Sequence, residues 1–220
     1  TTVGMEGNEI CFRCRGDNEH ELVSRNVNLN MRTGEKTALV GASGVGKSTL
    51  VQVLLGMYPH QHGMIYFDNV PVTESGLDLV RDNVATVLQH PAMFNETVRN
   101  NITLGIDVGD TLIWDALHVA QLDTEIKKLP AQLDTHIGHD GVRLSGGQLQ
   151  RLAIARMLLS QPKVVILDEA TSALDTQTEK KLHLALNTAL KGKTTLIIAH
   201  RLSAVKQADR VYAFEEGHII

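Results

Sequence analysis

A glycine-rich segment at positions 41–48 constrains the fold more than any other part of the chain. It reads GASGVGKS, a complete G-x-x-x-x-G-K-[ST] pattern. Residues 37–40 before it predict a buried strand, and residues 48–57 after it predict a helix. Glycines let the backbone curl so that its N–H groups converge on an anion, and the start of the helix adds positive potential. The segment therefore predicts a phosphate-binding loop in an α/β fold.

Two side chains of this loop and two later acids supply the expected chemistry. Lys47 is predicted to reach the β- and γ-phosphates of a nucleotide, and the Ser48 hydroxyl to ligate Mg²⁺. Asp168 and Glu169 follow the apolar residues 164–167. Asp168 is predicted to hold Mg²⁺, directly or through water, and Glu169 to act as a general base toward water. An acidic pair after a strand is often only a strand end meeting solvent, but the phosphate loop favours the functional interpretation.

Elsewhere, short apolar runs alternate with helical stretches, a pattern typical of a largely parallel α/β sheet. Residues 164–167 and 194–199 are predicted buried strands, each followed by a polar residue at the strand end where such a sheet places its ligand. Residues 9–29 and 63–67 alternate more strongly and predict antiparallel strands. The pattern then turns helical over residues 91–138.

We therefore predict a P-loop NTPase core with a mostly parallel sheet, an N-terminal antiparallel β subdomain and an inserted helical subdomain. A strand is predicted at 84–88, and the clearest helix of the insertion at 112–122. The expected organisation is a single domain, with its core and β subdomain at about 1–90 and 146–220 and its helical subdomain at about 91–145.

Composition excludes some partners and leaves one site open. The net charge is −4 and aromatic residues make up 4% of the chain. The sequence therefore indicates neither a basic surface patch nor an aromatic surface for base stacking, and we expect no nucleic-acid partner. The apolar runs are too short to span a membrane, so the domain is expected to be soluble. Cys11 and Cys14 have the C-x-x-C spacing of a metal or redox site, but no second pair completes a zinc site, and we favour reduced thiols.

A second glycine-rich segment before a predicted helix resembles the signature of a known family. Residues 144–156 read LSGGQLQRLAIAR, with a helix predicted from 149 to 159. A serine and two glycines at a helix start form a second anion site. The run resembles the signature of ABC transporter ATP-binding domains. The resemblance implies that Ser145, Gly146, Gly147 and Gln148 of one chain close over ATP held by a partner chain, in a head-to-tail dimer with two nucleotides.

Further motifs match this family in the same order. Gln89 resembles the Q-loop glutamine, which contacts Mg²⁺ and the water and links the site to the helical subdomain. Residues 172–175 resemble the D-loop, whose Asp175 faces the partner chain. His200, directly after the strand at 194–199, resembles the switch histidine that contacts the γ-phosphate. The resemblance covers essentially the whole chain and implies an ATPase that uses ATP and Mg²⁺.

The predicted site has three overlapping groups of residues. The catalytic residues are Glu169, His200, Gln89 and Lys47. The metal ligands are Ser48, Gln89 and Asp168. The nucleotide-contacting residues are Gly41, Ala42, Ser43, Gly44, Val45, Gly46, Lys47, Ser48, Thr49, Gln89, Ser145, Gly146, Gly147, Gln148, Asp175 and Cys14.

Residues 87–89 and 93–102 resemble exporter-type members of the family. That resemblance implies a preceding transmembrane domain on the same chain, so we expect a fragment of a half-transporter at the cytoplasmic face of a membrane, such as a bacterial inner membrane. Two alternatives stay open: a soluble ABC ATPase acting on nucleic acid or ribosomes, and a regulatory subunit with weak turnover. The transported substrate, its direction, and a homodimer or heterodimer are also left open.

Two departures from the family pattern matter. The family usually stacks an aromatic side chain on adenine, and the alignment places Cys14 there; Phe12 could substitute only in a different register. We hypothesise that adenine stacking is weak. Exporters usually carry glutamates before the signature at contacts with the membrane domain, where this chain has His136 and His139. Those contacts are either pH-sensitive, because histidine titrates near neutrality, or reflect neutral drift.

Overall fold

The computed structural model describes residues 3–13, 22–42, 44, 46–199 and 205–220, with the side chains of 13 and 22–25 left aside. The predictions for Cys14, Ser43, Val45 and His200 lie outside these described residues. The chain forms two compact units. Unit 1 comprises Thr1–Ala85, Lys163–Asp168 and Gly192–Ile220, and unit 2 comprises Thr86–Pro162 and Glu169–Lys191.

The strands are, in chain order, β1 (Met5–Arg13), β2 (Leu22–Met31), β3 (Lys36–Val40), β4 (His62–Phe67), β5 (Val70–Pro71), β6 (Val84–Val87), β7 (Glu96–Thr97), β8 (His136–Ile137), β9 (Val164–Asp168), β10 (Thr194–Ile198), β11 (Arg210–Glu215) and β12 (His218–Ile219). The helices are α1 (Lys47–Leu54), α2 (Val72–Ser75), α3 (Leu77–Asn83), α4 (Val98–Thr103), α5 (Asp110–Val119), α6 (Asp123–Ile126), α7 (Gly146–Leu159) and α8 (Thr176–Ala189), with a 3₁₀ turn at Gln132–Asp134.

The larger sheet is mostly parallel, as predicted. Its order is β12-β11-β3-β10-β9-β6. β3 pairs in parallel with β10 and β11, and β10 in parallel with β9; β12 is paired antiparallel with β11. All five residues of β9 are buried, which explains its continuous apolar sequence. The carboxyl ends of β3 and β9 carry the phosphate loop and Asp168.

The smaller sheet confirms the predicted antiparallel subdomain. Its order is β2-β1-β4-β5, and every pairing recorded within it is antiparallel. β1 is interrupted by register shifts against both β2 and β4. Both sheets of unit 1 contribute to one apolar core, in which Phe12, Leu50, Ile166 and Phe214 are almost fully buried.

Helix α1 is shorter than the sequence predicts. It ends at Leu54 instead of Met57, so the predicted range 48–57 is wrong at its C-terminal end. Gly56 has φ +69°, and a Cβ there would lie 2.1 Å from Leu77 Cδ2. A left-handed glycine just past the last turn is a common helix stop. The periodicity of the apolar residues does not show this stop, because the apolar pattern continues beyond it.

Unit 2 is built mainly from helices, with the short antiparallel pair β7-β8. Helices α4 and α5 pack on α7, which is buried along most of its length. Two predicted helices have different bounds: α5 starts and ends earlier than 112–122, and α7 starts at Gly146 instead of Leu149. The strands predicted at 84–88 and 194–199 each end one residue earlier. Among the described residues, no helix is both long enough and apolar enough to cross a bilayer.

Candidate functional site

The loop after β3 has the backbone of an anion-binding turn. Gly44 has φ +79° and Gly46 has φ +102°, both in the left-handed region where an L side chain is strained. Gly46 is the N-cap of α1 and offers no side-chain cap. A Cβ at Gly44 would meet nothing within 4 Å, so the space beside the loop is open. A helix start of this kind favours a ligand of negative charge.

Lys47 places a positive charge inside this loop. The residue is 4% exposed, and its Nζ donates to the carbonyl oxygens of Gly41 at 2.9 Å and Ala42 at 2.6 Å. An ammonium group buried near a helix N-terminus is favourable when an anion joins it. The described part of the loop therefore fits a phosphate group.

Oxygen ligands suited to Mg²⁺ are also present in unit 1. Ser48 is exposed in the first turn of α1, and Asp168 is 5% exposed at the end of β9. Among the described residues, no group of three or more His, Cys, Asp or Glu side chains could hold a metal ion alone. A hydroxyl and one carboxylate fit Mg²⁺, which is usually bound by one or two protein oxygens together with substrate phosphates.

Unit 2 brings together two residues predicted to act on water. Gln89 Nε2 donates to Glu169 Oε2 at 2.9 Å, across 80 positions of sequence. Glu169 has φ +48°, a conformation that is strained for a residue with a side chain and that clusters at functional sites. Its carbonyl oxygen accepts from Ser172 N at 3.0 Å. Glu169 is thus held by its side chain and by its backbone.

The start of α7 is capped by the serine of the predicted signature. Ser145 Oγ accepts from Gln148 N at 3.2 Å, and Gln148 Oε1 accepts from Ser145 N at 2.8 Å, which together form a capping box. A Cβ at Gly147 would lie 3.0 Å from both Ala173 O and Leu174 Cδ2. Glycine at this position therefore allows α7 to approach the predicted D-loop closely.

Glu125, which no sequence motif indicates, anchors this helix start. Its Oε2 accepts from Gln148 Nε2 at 2.7 Å, and its Oε1 from Arg151 NH1 at 2.7 Å. Burial alone would raise the pKa of Glu125, but the hydrogen bonds from Arg151 and Gln148 lower that pKa overall. Glu125 lies 23 residues before Gln148 in an unremarkable helical segment, so no local pattern singles it out.

This anchor predicts an acid-sensitive contribution to stability. A carboxyl with a lowered folded-state pKa contributes stability that is full above its ordinary pKa of 4.5 and is lost as the pH falls through the lowered value. We expect Glu125→Gln to lower the free energy of unfolding at neutral pH and to have a smaller effect at acidic pH. Urea unfolding at several pH values measures this. Glu74→Gln, an exposed change on α2, is the control, and an effect of Glu125→Gln that is independent of pH would contradict the assignment.

Asp175 caps α8 by accepting from the backbone N–H groups of Gln177 and Thr178, both at 3.0 Å. Hydrogen bonds from Thr178 lower the pKa of Asp175. The residue is exposed, so its carboxylate is charged and open to solvent. Its predicted role toward a partner chain stays a prediction.

Phe12 does not supply the missing adenine platform. Its side chain is completely buried in the apolar core of unit 1, so the alternative register in which it would stack on adenine is not adopted. At the other departure, His139 is exposed and its Nδ1 lies 2.9 Å from Asp140 Oδ1. His136 is also exposed, in β8. Both histidines are accessible to solvent.

The fold and these contacts define a class of protein. A glycine loop that caps a helix, a buried lysine in that loop and an aspartate at the end of a buried strand of the same sheet are the parts of a P-loop nucleotide-binding domain.

Comparisons with known proteins identify the family within that class. The sequence profile of the family described as ABC transporter matches residues 24–172. The chain belongs to the ABC transporter family, as one of its ATP-binding domains.

Individual relatives agree with this assignment. The chain is 44% identical over 213 residues to the uncharacterized ABC transporter ATP-binding protein YwjA of Bacillus subtilis, covering 94% of this chain and 36% of the relative. It is 41% identical over 218 residues to the ATP-dependent lipid A-core flippase of Alkalilimnicola ehrlichii, covering 98% of this chain and 37% of the relative.

A solved structure gives the same result for the fold. The structure of a bacterial Atm1-family ABC exporter with ATP bound superimposes on all of this chain with a TM-score of 0.92 and 31% identity, while the chain covers 38% of that protein. The predicted fold class and the predicted exporter-type family are confirmed. The chain spans well under half the length of each of these three proteins.

Proposed function

We propose that the chain is the ATP-hydrolysing motor of an exporter-type ABC transporter, using ATP and Mg²⁺. The observation that supports this best is the hydrogen bond between Gln89 and Glu169 in a chain that also has the buried Lys47 in its phosphate loop. A regulatory subunit with weak turnover would not need a carboxylate oriented by a second polar side chain.

The nucleotide-binding residues fall into two groups, those that bind phosphate and those that bind the metal. The backbone N–H groups of residues 41–49 and the Lys47 ammonium bind the β- and γ-phosphates, while Ser48, Asp168 and Gln89 supply oxygen ligands for the metal. When bound, Mg²⁺ neutralises charge on the phosphate oxygens. Because Asp168 and Glu169 are consecutive in the chain, the metal ligand and the base are neighbours.

The hydrolytic residues act on one water molecule. Glu169 accepts a proton from water as the water oxygen bonds to the γ-phosphorus and the bond from that phosphorus to the β,γ-bridging oxygen breaks. Gln89 orients the Glu169 carboxylate, and His200 contacts the γ-phosphate. The protein contributes chiefly positioning and electrostatic stabilisation.

The signature and D-loop residues act on a second chain. Ser145, Gly146, Gly147 and Gln148 cap the nucleotide held by a partner domain, and Asp175 faces that partner. In support, the capped start of α7 offers backbone N–H groups of the kind that bind anions. A transmembrane domain of the same transporter, at the cytoplasmic face of a membrane, is the proposed recipient of the motion.

The hypothesis that adenine stacking is weak can be tested by substituting Cys14. If Cys14 replaces the usual aromatic platform, Cys14→Tyr should tighten ATP binding. Base–aromatic stacking is worth about 1–3 kcal/mol, so we expect roughly a tenfold lower Kd for ATP. Titrations with ATP and with inorganic triphosphate, which has no base to stack, separate a gain in base stacking from a gain in phosphate binding. Equal gains for both ligands, or no gain for ATP, would contradict the stacking hypothesis.

Phosphate release from ATP, measured with Mg²⁺ and with a chelator, tests the proposed function itself. We expect release that depends on Mg²⁺. ATP binding without phosphate release at any protein concentration would instead favour a regulatory ABC subunit.

A further inference from the structure

Gln150 is a buried polar residue on α7 that the predicted site does not include. It is 2% exposed and stands in a run of mostly apolar residues, LQRLAIA. A buried side-chain amide is costly unless its hydrogen bonds are made. A glutamine on a helix of this kind therefore needs partners of its own.

Both ends of the Gln150 amide are engaged, and all of its partners are in the predicted Q-loop, base and D-loop segments. Its Nε2 lies 2.8 Å from Gln89 O, 3.0 Å from Ser172 Oγ and 3.4 Å from Glu169 O. Its Oε1 accepts from Ala173 N at 3.0 Å. One side chain thus contacts three segments that are separated by up to 61 residues from it in sequence.

Two of these contacts fall on the backbone carbonyl oxygens of Gln89 and Glu169, the residues whose side chains share a hydrogen bond. That bond fixes the two side chains relative to each other, and Gln150 holds the backbone carbonyl groups of the same two residues. Glu169 also needs support because its φ of +48° is strained, and strained residues persist only when their surroundings hold them.

We propose that Gln150 is a positioning residue for the proposed ATP hydrolysis. It holds the backbones of Gln89 and Glu169 and the start of the D-loop in one arrangement, so that the Glu169 carboxylate is aimed at the attacking water. The inference rests on the proposed function, since it assigns Gln150 a role in that same reaction. Gln150 touches neither substrate nor metal in this role and acts through Glu169.

Gln150→Met tests the role, because methionine keeps the length of the side chain and removes its hydrogen bonds. A small misplacement of a reacting group costs up to about 10²-fold in rate, so we expect kcat to fall roughly 10- to 100-fold. ATP affinity should be unchanged, because Gln150 is not one of the residues proposed to bind the phosphates of ATP. Gln161→Met, the same change at an exposed glutamine just beyond α7, should leave kcat unchanged.

Gln150→Glu adds a readout that packing alone would not give. The ionised carboxyl keeps an acceptor for Ala173 N but loses the donor and faces two carbonyl oxygens. Burial and these oxygens raise the pKa of such a carboxyl, and its protonated form can again donate. We expect kcat of this variant to recover as the pH falls, whereas the pH profile of the wild type lacks this recovery.

The outcomes separate the two proposals. A wild-type chain that binds ATP and does not hydrolyse it contradicts the proposed function, and Gln150 then has no reaction to support. An active wild type with an unchanged kcat in Gln150→Met overturns the inference, as does a fall in ATP affinity equal to the fall in kcat. If Gln150→Met does not fold, Gln150→Glu decides, and a pH profile of wild-type shape overturns the inference.

Discussion

Glu169→Gln should lower Mg²⁺-dependent ATP hydrolysis by about 10²–10⁴-fold, the usual contribution of a positioned general base. Glutamine has the size of glutamate but cannot accept the proton of the attacking water. Glu169 Oε2 accepts from Gln89 Nε2 at 2.9 Å, and the new amide can keep an oxygen at that place. The local structure should therefore persist while the chemistry fails. Steady-state phosphate release measures the change.

Binding measurements complete this test. We expect ATP to bind Glu169→Gln as tightly as it binds the wild type, and the unhydrolysed nucleotide to hold two chains together as a dimer in size-exclusion chromatography. Glu74→Gln, which makes the same chemical change on the exposed α2, should behave as the wild type. A normal hydrolysis rate in Glu169→Gln would show that another group acts as the base.

Lys47→Met should weaken ATP binding roughly 10- to 100-fold. A hydrogen bond to a charged group contributes about 1.5–3 kcal/mol, and each 1.4 kcal/mol is about tenfold in Kd. Lys47 is 4% exposed, and its ammonium group lies within the loop and donates to Gly41 O and Ala42 O. Methionine fills the same volume but carries no charge to offer the phosphates. A fluorescence titration with labelled ATP measures the loss.

Comparison with adenosine, which lacks phosphates, locates the effect of this substitution. We expect Lys47→Met to leave adenosine binding unchanged. Lys180→Met, a change at an exposed lysine on α8, is the matched control and should bind ATP normally. ATP binding of wild-type strength in Lys47→Met would remove Lys47 from the phosphate site.

The type and order of the elements that follow from local sequence are predicted correctly, although several of their ends are not. The strand, glycine loop and helix at 36–54 depend on residues close together in the chain, and β9 is recognisable as a continuous apolar run. The antiparallel character of β1 and β4 follows from alternation with period two. Short-range periodicity and a phosphate-loop motif were enough to specify this part of the fold.

Helix ends and distant partners were harder to predict. α1 ends before the left-handed Gly56, which the apolar pattern does not reveal. Gln150 and Glu125 matter through partners 61 and 23 residues away, respectively, and no spacing rule connects such positions. The sequence leaves Phe12 open as an adenine platform in a different register, whereas in the fold its side chain is completely buried. Each miss involves a tertiary contact or a single backbone conformation rather than a repeating pattern.

In the proposed mechanism two chains must pair to hydrolyse ATP, so the ATPase rate should depend on protein concentration in a characteristic way. With Mg²⁺ and saturating ATP, we predict that the rate of phosphate release rises faster than linearly with the concentration of the chain while dimers are scarce. A rate strictly proportional to concentration in a chain shown to remain monomeric would mean that each chain turns over ATP alone, and would contradict the paired mechanism.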